Sequence, residues 1–158
     1  MPPKSRARFL LALVLLVLYT SFVLMVVLWP TPVDRDYQSS ITRLLEVLHR
    51  HGVPGWFGYN KLEFGANIAM FVPVGFLVSL VLPARVWWLV LLICPAFSGL
   101  IELTQGVFLE ERVSSLLDVL ANSAGGLVGA IVAVVLRTLI HARDEKVIAR
   151  AIWERAQA

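Results

Sequence analysis

The chain has 158 residues, 58% of them hydrophobic and only 16% charged, and the charges gather at the ends and in the connections. A soluble domain interleaves charges every few positions, so this pattern excludes that class and points to a membrane protein. The formal net charge of +3 comes with no zinc-finger or base-stacking pattern, so no nucleic-acid partner is expected and membrane orientation accounts for it.

Lys4, Arg6 and Arg8 lie in a polar start, residues 1–8, before an uncharged apolar run over 9–29. As a helix that run is about 31 Å long, enough to cross the hydrocarbon core. Trp29-Pro30-Thr31-Pro32 has no small-x-small cleavage site, so the run reads as a retained first span ended by proline rather than a cleaved signal. Tyr19, Thr20 and Ser21 lie mid-span and are expected to bond to backbone or to a neighbouring helix.

Residues 30–65 form the longest polar connection. Ile41, Leu44, Leu45 and Leu48 recur there at helical spacing, opposite Arg43, Glu46, His49 and Arg50. This predicts a short amphipathic helix lying on the membrane surface or on the bundle. Gly52, Pro54 and Gly55 stop it, and Trp56, Phe57 and Tyr59 suit the interface. No acid or cysteine pattern makes ligands of His49 and His51, which read as solvated.

The second span covers about 66–82 and contains Asn67, Pro73, Gly75 and Ser79. After the turn at Pro83-Ala84-Arg85, a third span begins at Val86, has Trp87 and Trp88 at its interface, and runs to about Val107. Pro95 in its middle is expected to kink it. Cys94, the single cysteine, can form no internal disulfide or zinc site and reads as a small packing residue. The fourth span runs from about Leu116 to Ile140, and a charged helical tail follows over 141–158. Residues 66–140 thus form a core of three spans, with no internal repeat.

Four spans place both termini on one side, with nine basic residues: Lys4, Arg6, Arg8, Arg85, Arg137, Arg143, Lys146, Arg150 and Arg155. The other side has five, Arg35, Arg43, Arg50, Lys61 and Arg112, spread over longer connections. The positive-inside rule makes the termini cytoplasmic and the 30–65 connection external. The fold class expected is an all-α membrane protein with four transmembrane helices, both termini cytoplasmic, and a short amphipathic outer helix.

With that orientation Asn67, Glu102, Gln105, Arg112, Asp118 and Asn122 share one level, the outer third of the bilayer. Ionisable groups within a span cost about 2.5–3.5 kcal/mol each, so they need partners, water or a function. Ser98, Glu102 and Gln105 fall on one face of the third span; Asp118, Asn122, Gly125 and Gly129 fall on one face of the fourth. Gly125, Gly126 and Gly129 read as a packing face that admits a neighbouring backbone. The expectation is one cluster, Glu102 and Gln105 facing Asp118 and Asn122, with Asn67 joining from the second span.

Glu102, Glu110, Glu111 and Asp118 stand at this mouth against Arg112 alone. Such an excess of acid suits a cation, an amine, a proton or a hydroxyl-rich headgroup better than a phosphate. Two roles are open to Arg112: a latch between Glu102 and Asp118, or a clamp on an anionic ligand group. A lone arginine among acids pairs first, which favours the latch. Glu102 and Asp118 are the candidates for acid/base catalysis. Paired carboxylates alone are a weak sign of it, and Ser114 and Ser115 have no histidine beside them, so the reading leans away from an enzyme. No metal-site spacing and no cofactor motif is present.

These residues resemble the VanZ-like family of small bacterial membrane proteins. The resemblance covers about Asn67 to Gly129. It consists of Asn67 heading a span with Pro73 and Gly75, the pair Glu102 and Gln105, and the series Arg112, Asp118, Asn122, Gly125, Gly126 and Gly129. The chain departs from the family at Ser114 and Ser115, where an additional acid is common. The resemblance implies a multi-pass protein of the bacterial cytoplasmic membrane and a link to the cell envelope, since the family is named for lowered susceptibility to teicoplanin. The leading expectation is an envelope protein whose outer-leaflet pocket binds a lipid-linked wall precursor or a lipoglycopeptide, with membrane lipids as partners. The alternatives are an intramembrane enzyme acting on an envelope lipid through Glu102 or Asp118, and a small transporter working as a homo-oligomer.

Overall fold

A computed structural model describes residues 6–29, 37–109 and 115–157. The described residues are helical apart from short connections: α1 Arg6–Val27, α2 Gln38–Arg50, α3 Tyr59–Val81, a 3₁₀ segment Ala84–Leu89, α4 Val90–Phe108 and α5 Leu116–Ala156. Four of these stretches are long and apolar enough to cross a membrane: α1, α3, the 3₁₀ segment joined to α4, and α5. The all-α architecture with four such helices and a short amphipathic one agrees with the sequence pattern.

Boundaries differ where apolarity and helicity part company. α3 starts at Tyr59, about two turns before the apolar residues begin, because Gly58 supplies the extended entry and its carbonyl accepts from the Lys61 and Leu62 amides at 3.1 and 3.2 Å. The segment entering α4 begins as 3₁₀ turn, with Val86 non-helical and its amide on Pro83 O at 3.0 Å; regular helix starts only at Val90. The expected fourth span and tail are one uninterrupted helix of 41 residues.

α2 ends in a Schellman motif. The Val53 amide donates to Leu48 O and the Gly52 amide to His49 O, with Gly52 at φ +96, a left-handed value that glycine adopts without a Cβ clash. None of its residues is buried.

The core lies where α3, α4 and α5 meet, around Phe71, Val74, Val78, Val90, Cys94, Ile101 and Ala130, with Val23 entering from α1. α3 and α5 touch backbone to backbone. A Cβ on Gly75 would collide with Gly126 O, one on Gly125 with Ile68 O, and one on Gly129 with Val72 O and Phe76 N. Gly126 also faces the Cys94 side chain of α4, so α5 is seated between two helices by residues without side chains.

α1 is the outlying helix. Only Ala12 and Val23 are buried along it, and it packs on α3. Tyr19 OH donates to Met70 O at 3.0 Å, in the turn before Pro73, where the missing proline N–H loosens the ladder. At the opposite end of the bundle from α2, the Arg137 guanidinium donates to the carbonyls of Ser79, Leu80 and Leu82, closing the C-terminal turn of α3.

Candidate functional site

The polar residues gather at the end of the bundle where α4 gives way to α5. Ser115 caps α5: its Oγ accepts from the Leu117 amide at 3.2 Å, and its carbonyl accepts from the Asp118 amide at 3.1 Å. Its own amide donates to Glu102 Oε2 at 2.7 Å, so a buried carboxylate of α4 holds the N-cap of α5. Asp118 stands in the first turn of α5, where the helix dipole favours negative charge. Its Oδ1 accepts from Asn67 Nδ2 of α3 at 2.9 Å.

One turn further along, Asn122 Nδ2 donates to Ser98 Oγ at 2.8 Å, and both side chains are buried. Ser98 and Glu102 on α4 thus face Asn122 and Ser115 on α5, while Asn67 braces Asp118 from α3. Asn122 is 4% exposed, yet its Oδ1 has no hydrogen-bond partner among the described residues. A buried carbonyl oxygen left this way costs about 1–3 kcal/mol, so it marks a place where a donor is wanted.

Gln105 turns elsewhere. It is buried, and its Nε2 donates to Val27 O at 2.7 Å, tying the end of α1 to α4. It therefore faces α1 rather than Asp118 and Asn122, because three residues of helix rotate it about 60° from Glu102, enough to select another neighbour. Arg112, with Glu110, Glu111 and Ser114, lies outside the described residues. His49 and His51 contact Phe57 O and Val47 O at 3.0 and 2.8 Å on the exposed connection. Among the described residues no three His, Cys, Asp or Glu side chains form a group able to hold a metal ion.

Chemically, the cluster gathers carboxylate, amide and hydroxyl groups at one end of the helical bundle, with Glu102 accepting from the Ser115 amide and Asp118 from Asn67 Nδ2. Such bonds fix the orientation of both carboxylates. Sequence reasoning did not anticipate Ser98 as the partner of Asn122, the Ser115 amide as the partner of Glu102, or Arg137 as a cap. Ser98 had a signal, since it shares a helical face with Glu102. The backbone amide and the cap had none, because neither depends on a pattern of residue types.

The profile of the VanZ/LLP1 family matches residues 13–137. That range reaches from α1 through α5 as far as Arg137, wider than the motif-bearing stretch Asn67 to Gly129. No curated protein and no solved structure matches the chain. Four apolar helices and a family match over most of the sequence lead to one assignment: the chain belongs to the VanZ/LLP1 family and is a VanZ-like, multi-pass membrane protein.

Proposed function

We propose that the cluster of Asn67, Glu102, Asp118 and Asn122 is a binding pocket of the bacterial cytoplasmic membrane. It opens to the outer leaflet and receives the headgroup of a lipid-linked wall precursor or of a lipid-tailed glycopeptide such as teicoplanin. The observation that carries the reading is the buried Asn122 Oδ1, an acceptor without a donor among the described residues, one helical turn from Asp118. An unmet buried acceptor selects ligands that donate, and a glycan or glycopeptide headgroup presents many hydroxyls and amines. The outer level follows from the lysine and arginine distribution, and a headgroup at that depth has its tail beside it in the bilayer. Arg112, from the connection between α4 and α5, is the residue proposed to join Glu102 to Asp118 or to hold an anionic group of the ligand.

The test is antibiotic susceptibility in a strain lacking the gene, complemented with wild type, Glu102→Gln, Asp118→Asn or Asn122→Leu at matched membrane levels. Wild type is expected to shift teicoplanin susceptibility and each variant to lose most of that shift. An unchanged phenotype in both acid variants would end the pocket reading. Lipid extracts from the same strains separate binding from catalysis: accumulation of an envelope lipid that only wild type clears would assign Glu102 and Asp118 to chemistry instead.

A further inference from the structure

α1 leans on α3 and scarcely touches α4. Between the three helices this leaves an open-sided groove of about 370 Å³, walled by Val17 and Thr20 of α1, Val74 and Val78 of α3, and Ile93 and Phe97 of α4. Tyr19 pins α1 to α3 through Met70 O at the level of the groove, and the Gln105 bond to Val27 O joins α1 to α4 toward the end that carries the polar cluster. The groove is therefore a lateral opening with the α1–α4 tie at one end.

Depth and chemistry say what fills it. The α1 wall lies in the middle of a 22-residue span, so the groove opens at mid-bilayer depth onto the same lipid-facing surface as the exposed Val17, Leu91 and Leu92. Water would need two to four polar partners there, and the walls are almost wholly apolar. At that depth the bilayer presents hydrocarbon to such walls, and a helix of a second copy seated there instead would keep lipid out of the groove.

We propose that this groove is a tail site, in which one hydrocarbon chain of a membrane amphiphile lies between α1 and α4. The proposal rests on the pocket reading only for where the head goes. Gln105 is where the two meet, since eleven residues of helix bring it within about 20° of Cys94 on the groove's face of α4, and it stands one turn from Glu102. The chain enters sideways from the bilayer, beneath the Gln105–Val27 tie, and its head comes up beside the cluster.

The full chain, reconstituted in vesicles containing a phosphatidylglycerol with a mid-chain diazirine, would be irradiated and its adducts mapped by mass spectrometry. Adducts on 16–21 and 93–97 are expected to exceed, several-fold, those on the lipid-facing Val128 and Ile131 of α5. Thr20→Phe and Ile93→Phe, which fill the groove from opposite walls, are expected to bring the excess down to the α5 level. Equal labelling of groove and α5 in the unaltered protein overturns the proposal, as does an excess that survives both fillings. Val132→Phe, at an exposed α5 position outside the groove, is expected to leave the groove labelling unchanged. A failed susceptibility test with intact groove labelling therefore removes the pocket and leaves the tail site, while the converse removes the tail site alone.

Discussion

Arg137 shows how much one side chain can settle. The last carbonyls of a helix have no partner within it, and in a membrane no water supplies one. At the end of α3 the Arg137 guanidinium takes that place for Ser79, Leu80 and Leu82, and its charge suits the negative end of the helix dipole. Arg137→Leu is expected to lower folding stability by about 1–3 kcal/mol, the range for leaving a buried acceptor unpaired. Arg137→Lys, with a single ammonium in place of a planar fork, recovers only part of it. Thermal unfolding in detergent measures both, and a leucine variant as stable as wild type would refute the capping role. Read from sequence, Arg137 is only one of nine basic residues on its side of the membrane. Its capping partners are backbone carbonyls, which carry no residue identity, so nothing in the letters marks them.

At the scale of elements, the contact of α3 with α5 depends on absent side chains. Gly129 meets Val72 O and Phe76 N, backbone atoms that cannot rotate aside. Gly129→Val is accordingly expected to destabilise the bundle by more than the 1–3 kcal/mol typical of overpacking. Gly65, in the same α3 but with open space around it, supplies the contrast. Gly65→Ala is expected to be neutral or to stabilise by about 0.5–1 kcal/mol through backbone entropy. Unfolding curves of the two variants check the pair; equal effects would mean that the glycines are not what seats the helices. The glycine spacing was readable in the sequence because a helix repeats its face every three or four residues. So was the common level of Asn67, Glu102, Asp118 and Asn122, since rise per residue converts position into depth. Which of them bond to one another was not readable. Each helix's rotation is fixed by packing elsewhere, at Gly75 against Gly126 and at Cys94 against Gly126, and a 60° difference sends Gln105 to α1 while Glu102 reaches α5.

For the molecule as a whole, the side of the membrane proposed for each end rests on the distribution of lysine and arginine alone, and it has a direct check. Cys94 is 1% exposed, so the natural protein gives little background with a thiol reagent. Ser39→Cys on α2 is expected to react with a membrane-impermeant maleimide in intact cells. Ala149→Cys, near the far end of α5, is expected to react only after the membrane is opened. The reverse pattern would turn the protein over and put the polar cluster in the cytoplasmic leaflet, where neither a wall precursor awaiting assembly nor an external antibiotic presents its head.

The length of α5 has a mechanical consequence. Forty-one residues make a rod of about 62 Å, roughly twice the hydrocarbon thickness, with Asp118 in its first turn and Trp153 near its last. Seated between α3 and α4 by glycines and tied to α3 again at Arg137, the rod is held along its first half, while every described residue beyond Arg137 is exposed. Over its full length each degree of tilt carries the far end by about 1 Å. A small tilt of the held half is therefore displayed at the exposed indole of Trp153, at the far end of an arm that stands clear of the bundle.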